Sequence, residues 1–393
     1  MATFQLGCLS HPKTVCSSDR RVRRANARSR RQLARGCVGG PKLSEADGKD
    51  GAPRLRLIER IWRGDDAFAR AARVALLPAA GAYRAAAAAR GWMYDRSLFK
   101  VHKSSIPVVS IGNLSVGGTG KTPFTAWVAS ELARRGARPA VVLRGYGGDE
   151  PLVHARLNPA IPVIIESRRA AGIAHAAQIG ATVAVLDDAF QHRAAERETD
   201  IVLIAAEQWQ RRLHMLPAGP WREPLSAINR ASLVVITQKT ADASRIAGVR
   251  DAAKRAAPAV PQALVRFSLS ELRSEAIDGD RKTLPLSALA NRPVVAIAGV
   301  ADPDAFFEQL TRAGSIVTRF SFPDHHHYSA VDIEHVLATV GAGDAMVVCT
   351  LKDAVKLAPK WPATARPLWY VSQTLQVESG EEALDQIFSR LAP

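Results

Sequence analysis

From residue 107 onward the chain alternates between short apolar runs rich in β-branched residues and longer stretches of helical periodicity. The runs "PVVSI" (107–111), "AVVL" (140–143), "TVAVL" (182–186), "DIVLI" (200–204) and "LVVIT" (233–237) are almost continuously apolar. Strands buried on both faces read this way, as in a parallel sheet covered by helices. A second set, "PVVAIAG" (293–299), "SIVTRF" (315–320), "AMVVCT" (345–350) and "PLWYVS" (367–372), follows the polar, hairpin-like stretch "VRFSLSELRSEAIDGDRKTL" (265–284). The pattern predicts two α/β units, 106–264 and a smaller 285–393, joined by a short ribbon over 265–284.

Ahead of the first run, residues 56–105 mix apolar and aromatic residues with scattered arginines. The longest uncharged run there, "VALLPAAGAY", is ten residues between Arg73 and Arg84. A bilayer span needs about 20. Pro78 interrupts the run, so the segment reads as helices lying in a membrane interface or as a helix pair packed on the protein's own body.

Charge changes the picture less than its total suggests. The formal net charge is +16, but residues 1–44 hold ten Lys and Arg against one acid, a net +9 that leaves +7 for the other 349 residues. An Arg- and Ser-rich, acid-poor leading segment resembles an organellar transit peptide; a basic tail, solvated or RNA-binding, is the other reading. Three of the four cysteines (Cys8, Cys16, Cys37) lie in that segment, and Cys349 sits in an apolar run. No disulfide framework or cysteine metal site is expected.

The candidate chemistry begins at "VVSIGNLSVGGTGKTPFTAW" (108–127). A strand, a glycine-rich turn and a helix follow one another, which is the context of a P-loop. Gly117, Gly118 and Gly120 let backbone amides approach phosphate, at a helix N-terminus that favours negative charge. Lys121 is placed to reach the β- and γ-phosphates and Thr122 to hold Mg²⁺. Position 115 is serine where the strict pattern has glycine. After "TVAVL" come Asp187 and Asp188, acids at a strand end that serve as the second metal-holding element. Arg144 and Tyr146 follow a strand directly, at the edge where open α/β sheets bind ligands. Asp149 and Glu150 sit in the same loop, one as a proton acceptor for an attacking hydroxyl and the other as an aid to the metal; "GGDEP" is equally an ordinary turn. Arg222 in "HMLPAGPWREPL" is suited to neutralising a transferring phosphoryl group. In "SFPDHHHYS", three adjacent histidines cannot face one metal, and one of them is expected to assist a carboxylate.

Taken in order, "GNLSVGGTGKTP", "LRGYG", "GDEP", "LDDAFQH", "LPAGPWREP", "FPDHHHY" and "TLKDAVKL" resemble the tetraacyldisaccharide 4′-kinase family over about residues 58–391. The resemblance implies a P-loop NTPase-like parallel-sheet domain and a second, smaller α/β domain joined by a two-stranded ribbon. It also implies peripheral membrane attachment, ATP with Mg²⁺, and γ-phosphoryl transfer to the 4′-hydroxyl of a tetraacyldisaccharide 1-phosphate, an anionic glycolipid. By motif position, Ser115, Val116, Gly117, Gly118, Thr119, Gly120, Lys121 and Thr122 bind ATP, and Asp149 is the base with His325 as its partner. Thr122, Asp187, Asp188 and Glu150 form the metal set. Arg144, Tyr146, Gln191, His192 and Glu223 serve the acceptor, and Arg222 joins Lys121 at the phosphoryl group.

This sequence departs from the family pattern at Ala189 (usually glycine) and Leu351 (usually glutamate). Gly147 also runs straight into Gly148, where members carry extra residues. A shortened loop would displace Asp149, and ~1 Å of misplacement can cost ~10²-fold. A catalytically impaired member, another P-loop ATPase and a GTPase are the alternatives. Guanine readers need an N-K-x-D-like element, which "TQKTAD" (237–242) and "TLKD" (350–353) do not supply. The chain is expected to act as a monomer without nucleic acid, in the mitochondrion, with the plastid as alternative.

Overall fold

The computed structural model describes residues 52–145, 148–210, 213–274, 282–340 and 344–392. The segment 1–44, expected to be a transit peptide, and Tyr146 lie outside these residues. The first described elements are helices α1 (Ala52–Arg63) and α2 (Ala67–Asp95). Asp66 caps α2 by accepting the Ala69 N–H at 3.0 Å. Helix α2 runs through Pro78 without ending, because the long helix satisfies its backbone on either side of the proline. Among the described residues, no helix is long and apolar enough to cross a membrane.

The sheet-forming part then runs β1 (Val108–Asn113), α3 (Lys121–Arg134), β2 (Pro139–Leu143), α4 (Glu150–Leu157), β3 (Val163–Ile165), α5 (Arg169–Gln178), β4 (Val183–Leu186), β5 (Thr199–Ala205), β6 (Leu233–Gln238), α6 (Ala243–Ala256) and β7 (Gln262–Ser274). It continues with β8 (Thr283–Pro285), β9 (Pro293–Ala298), α7 (Pro303–Arg312), β10 (Ile316–Ser321), α8 (Ala330–Val340), β11 (Met346–Thr350), α9 (Leu351–Leu357), β12 (Leu368–Ser379) and α10 (Glu381–Leu391).

All twelve described strands belong to one sheet, ordered β3-β2-β4-β1-β5-β6-β7-β12-β11-β9-β10, with β8 on β7. Pairing is parallel throughout except at β7 with β12 and β7 with β8. Residues 265–284 therefore hold most of β7 and the start of β8, whose register sets Leu272 opposite Leu284. The longer partner of β7 is β12, and this antiparallel pair carries the sheet from its first parallel half into its second.

Burial follows the apolar runs. Strands β1, β2, β4 and β6 are buried at every position. The edge strand β10 has no position in the fully buried class, which accounts for Thr318 and Arg319 inside an apolar pattern. On α3, Phe124, Val128 and Leu132 face the core, and Leu384, Ile387, Phe388 and Leu391 of α10 join the same cluster. Such side chains contribute about 1.5–3 kcal/mol each on full burial. Helix α3 ends at Gly136, whose φ of +92° suits a left-handed stop.

The site is positioned by the order of the strands. After β1 the chain builds outward through β2 and β3, returns to β4 beside β1, and only then crosses to β5 on the other side. The turn leaving β1 thus opens where the winding reverses, where open α/β sheets bind ligands.

Candidate active site

The turn between β1 and α3 is held from three directions. Asn113 at the end of β1 donates its side-chain amide to Thr119 Oγ1 at 3.0 Å, and Thr237 from β6 donates to the Thr119 carbonyl at 3.0 Å. The Val116 N–H donates to the Pro220 carbonyl at 2.8 Å, and Ser115 bridges to Trp221. Gly117 and Gly120 have φ of +127° and +83°, values that L side chains rarely adopt. A Cβ at Gly120 would also stand 2.7 Å from Phe267 on β7. Gly117 to Thr122 line a cleft of about 840 Å³ that runs from this turn to the loops after β9, β10 and β11.

Strand β4 delivers Asp187 and Asp188 to the cleft, with different surroundings. Asp187 is 2 % exposed, and its oxygens meet the Thr125 hydroxyl (3.2 Å) and His154 Nε2 (2.9 Å). Asp188 has φ +48°, a left-handed conformation that turns its carboxylate toward the loop. That carboxylate lies 3.7 Å from Lys121 and 3.2 Å from Arg222. Burial alone would raise the Asp188 pKa, but these two cations outweigh it and hold the carboxyl below its ordinary value.

Glu150, the first residue of α4, lines the same cleft. Burial, reinforced by the negative charge of Asp187 and Asp188, pushes its pKa up to about 7. Carboxyls that line one cleft within electrostatic reach of one another favour a cation there. With Thr122 opposite, the donors are all oxygen, as Mg²⁺ prefers. Among the described residues, no three His, Cys, Asp or Glu side chains form a metal cage by themselves. That is compatible with an ion that keeps waters and takes its remaining ligands from phosphate. Thr122, Glu150, Asp187 and Asp188 all line the cleft and are the groups that could hold it.

Across the cleft, Asp149 and His325 meet although the loop before Asp149 is short. His325 Nδ1 lies 2.9 Å from Asp149 Oδ1, and His325 has φ +60°. Asp149 is 1 % exposed, whereas the imidazole reaches the cleft. Burial would raise the Asp149 pKa; the His325 hydrogen bond and the charges of Lys352 and Lys356 reverse that and hold it low. The same hydrogen bond raises the pKa of His325. The three histidines diverge. His326 bonds to Asp332 at 3.1 Å and stacks on Phe322, and His327 is exposed.

The remaining candidate residues divide between this cleft and a neighbouring groove. Arg144, at the end of β2, lines the cleft with His192, whose pKa burial, Arg169 and Arg144 push down. Gln191 donates to the Asn113 carbonyl at 2.8 Å and lines both spaces, as does Arg222. Glu223 lies in the groove alone, paired with Arg230 at 2.8 Å. The groove is closed on one side by Tyr83, Arg90 and Tyr94 of α2.

Sequence reasoning assigned no role to Arg169, Lys352 or Lys356. Arg169 is 6 % exposed and donates to the Asp187 carbonyl at 2.8 Å. Lys352 reaches Asp324 at 2.7 Å and His325 Nε2 at 3.1 Å. The i, i+4 spacing of Lys352 and Lys356 places them on one helix face, a signal present in "TLKDAVKL".

Comparison with known proteins adds a consistent set of matches. A family model described as tetraacyldisaccharide-1-P 4′-kinase matches residues 72–148 and 147–392. A protein named tetraacyldisaccharide 4′-kinase from Anaeromyxobacter sp. (strain Fw109-5) is 37% identical over 360 residues, covering 84% of this chain and 95% of its own length. Another of the same name, from Halorhodospira halophila, is 35% identical over 339 residues, covering 81% of this chain and 92% of its own length. Both sources are bacterial. The solved structure of "apo" form LpxK from Aquifex aeolicus in complex with ATP superimposes with a TM-score of 0.62 at 28% identity, covering 81% of this chain and 98% of that one.

Proposed function

Because the chain belongs to the tetraacyldisaccharide 4′-kinase family, we propose that its cleft transfers the γ-phosphoryl group of ATP to the 4′-hydroxyl of a tetraacyldisaccharide 1-phosphate, forming lipid IVA in lipid A synthesis. The observation that carries the reading is one shared cleft, with the phosphate-binding turn on one wall and His325, hydrogen-bonded to the buried Asp149, on the other.

In the transfer, a bond forms between the acceptor 4′-oxygen and Pγ while the bond from Pγ to the β,γ-bridging oxygen breaks, and ADP leaves. The Asp149–His325 pair takes the hydroxyl proton. Backbone amides of residues 117–120 hold the phosphates, and Lys121 and Arg222 meet the charge on the group in flight. Thr122, Asp187, Asp188 and Glu150 would hold Mg²⁺, which would supply neutralising charge to the triphosphate. Arg144, Gln191, His192 and Glu223 border the space left for the acceptor.

The expected outcome is labelled γ-phosphate appearing in tetraacyldisaccharide 1-phosphate when the protein, ATP and Mg²⁺ are combined. ATP binding without any transfer would identify a catalytically impaired member and overturn the reading.

Membrane attachment belongs to the same proposal. Phe68, Val74, Leu77, Tyr83 and Trp92 of α2 are exposed, and they alternate with arginines suited to anionic lipid. The protein acts there as a monomer with a glycolipid acceptor and no nucleic acid. An organellar, plant-type member is supported by the acid-poor, Arg-rich residues 1–44. Mitochondrial import, with the plastid as alternative, is tested by where a reporter fused to residues 1–44 accumulates.

A further inference from the structure

Helix α9 carries a lysine that the transfer just described does not use. Lys356 lies one turn beyond Asp353, a carboxylate fixed by three donors: the Gly299 N–H at 3.0 Å, the Tyr328 hydroxyl at 2.8 Å and the Thr350 hydroxyl at 2.7 Å. The Lys356 ammonium rests 3.3 Å from Asp353 Oδ1 and 5.3 Å from the centre of the Tyr328 ring. From this mount it reaches across to the first half of the sheet and stops 3.6 Å from Asp149 Oδ2.

The chemistry of that contact is unusual. Lys356 Nζ and Asp149 Oδ2 are both buried, and neither has a hydrogen-bond partner. The other oxygen of Asp149 is taken by His325 at 2.9 Å. Lys352 also stands 3.8 Å from Oδ2, but it is hydrogen-bonded to Asp324 and His325 and so is shared among three groups. Lys356 has only two carboxylates to serve, one rigid and one adjustable. A buried ion pair of this kind constrains its partners strongly, since removing one charge leaves the other uncompensated.

We infer that Lys356 is a positioning residue for the transfer: anchored through Asp353, it fixes by charge the buried Asp149 carboxylate against which His325, the member of the pair that lines the cleft, is oriented. His325 takes one oxygen at 2.9 Å and Lys356 faces the other at 3.6 Å, so the carboxylate is held from both sides. The second half of the sheet thereby sets the geometry of a base that belongs to the first. This rests on the reading of Asp149 as part of the base.

The test is a cycle of full-length proteins: wild type, Lys356→Met, Asp149→Asn and the double variant, each assayed for kcat, acceptor KM, ATP affinity and melting temperature. Lys356→Met is expected to lower kcat by roughly 10- to 100-fold, the scale of a misplaced reacting group, with KM and ATP affinity nearly unchanged. In the Asp149→Asn background the same change is expected to cost nothing more, because there is no carboxylate left to position. Lys356→Arg, which keeps the charge, is expected to recover part of the lost kcat and guards against a variant that merely fails to fold. An equal loss of kcat in both backgrounds would overturn the role of Lys356 while leaving the base intact. Full activity of Asp149→Asn alone would overturn both.

Discussion

On the β1 side of the cleft, the groups that face phosphate come from short contiguous stretches, each leaving the end of one parallel strand. On the β11 side, the groups around Asp149 come from separate loops and a helix, and they meet only because β7 and β12 join two parallel halves into one sheet. The first wall is built from backbone: amides at positive-φ glycines and a helix N-terminus. The second is built from ionised side chains that hold one another, Asp149 with His325, Lys352 with Asp324, and Lys356 with Asp353. A backbone wall keeps its shape without a ligand. A wall of paired charges depends on every member, so single substitutions act more sharply there.

That contrast is easiest to break at Asp149. Asp149→Asn is expected to lower kcat by about 10²- to 10⁴-fold, the range for a lost general base, with ATP affinity changed less than about twofold. Equal losses in kcat and ATP affinity would mean that the two walls are not separable. Arg222→Ala, next in size, is expected to cost about 10²-fold in kcat. Arg222 touches Asp188 and borders both the cleft and the groove, so a rise in acceptor KM should accompany the loss. An unchanged kcat would remove Arg222 from the phosphoryl group.

The same contrast explains what the sequence disclosed. Ser115 to Thr122, Asp187 and Asp188 were legible because strand, turn and helix follow one another, and a buried strand ending in acid is visible without knowing what lies across from it. The apolar runs likewise located most strands of the parallel halves. Pro78 interrupts an apolar run in the sequence but not the helix, because a helix of 29 residues retains enough of its own hydrogen bonds to absorb one proline. Lys356 and Arg169 were invisible for another reason. Their roles are set by partners far away in sequence, and no local period records that Asp149 will lie against α9. The paired His325 was reachable only through the order of motifs, since three adjacent histidines give no local reason to choose among them.

Gly120→Ala probes the joint between the halves, where the turn meets Phe267. Its φ of +83° would cost an alanine about 1–2 kcal/mol, and the new Cβ would press on Phe267 from 2.7 Å. A melting temperature lower by several degrees, with weakened ATP binding, is expected. An unshifted melt would show that the turn yields freely and that the backbone wall is soft.

The smallest effect is a pH dependence, and its sign follows from the Asp149–His325 pair. The folded protein raises the pKa of His325 above its ordinary 6.5, so the stabilisation from the charged imidazole is fully present below that value and is lost as pH rises through the raised one. Asp149 is shifted down from 3.8, so its contribution is present above 3.8 and is lost as pH falls through the lowered value. Between these limits the attraction between Asp149 and the charged imidazole is at full strength, opposed by the Lys352 ammonium 3.1 Å from His325 Nε2. With the imidazole about one-third exposed, solvent screening keeps the contribution below ~1 kcal/mol. The difference in melting temperature between wild type and His325→Ala should therefore be largest between about pH 4 and 6 and shrink toward pH 9. Glu150, pushed up to about 7 with the His325 charge opposing that rise, adds its own titration to the difference near neutral pH. A difference that is flat across this range would mean that His325 is held by packing rather than by charge, and the second wall would then resemble the first.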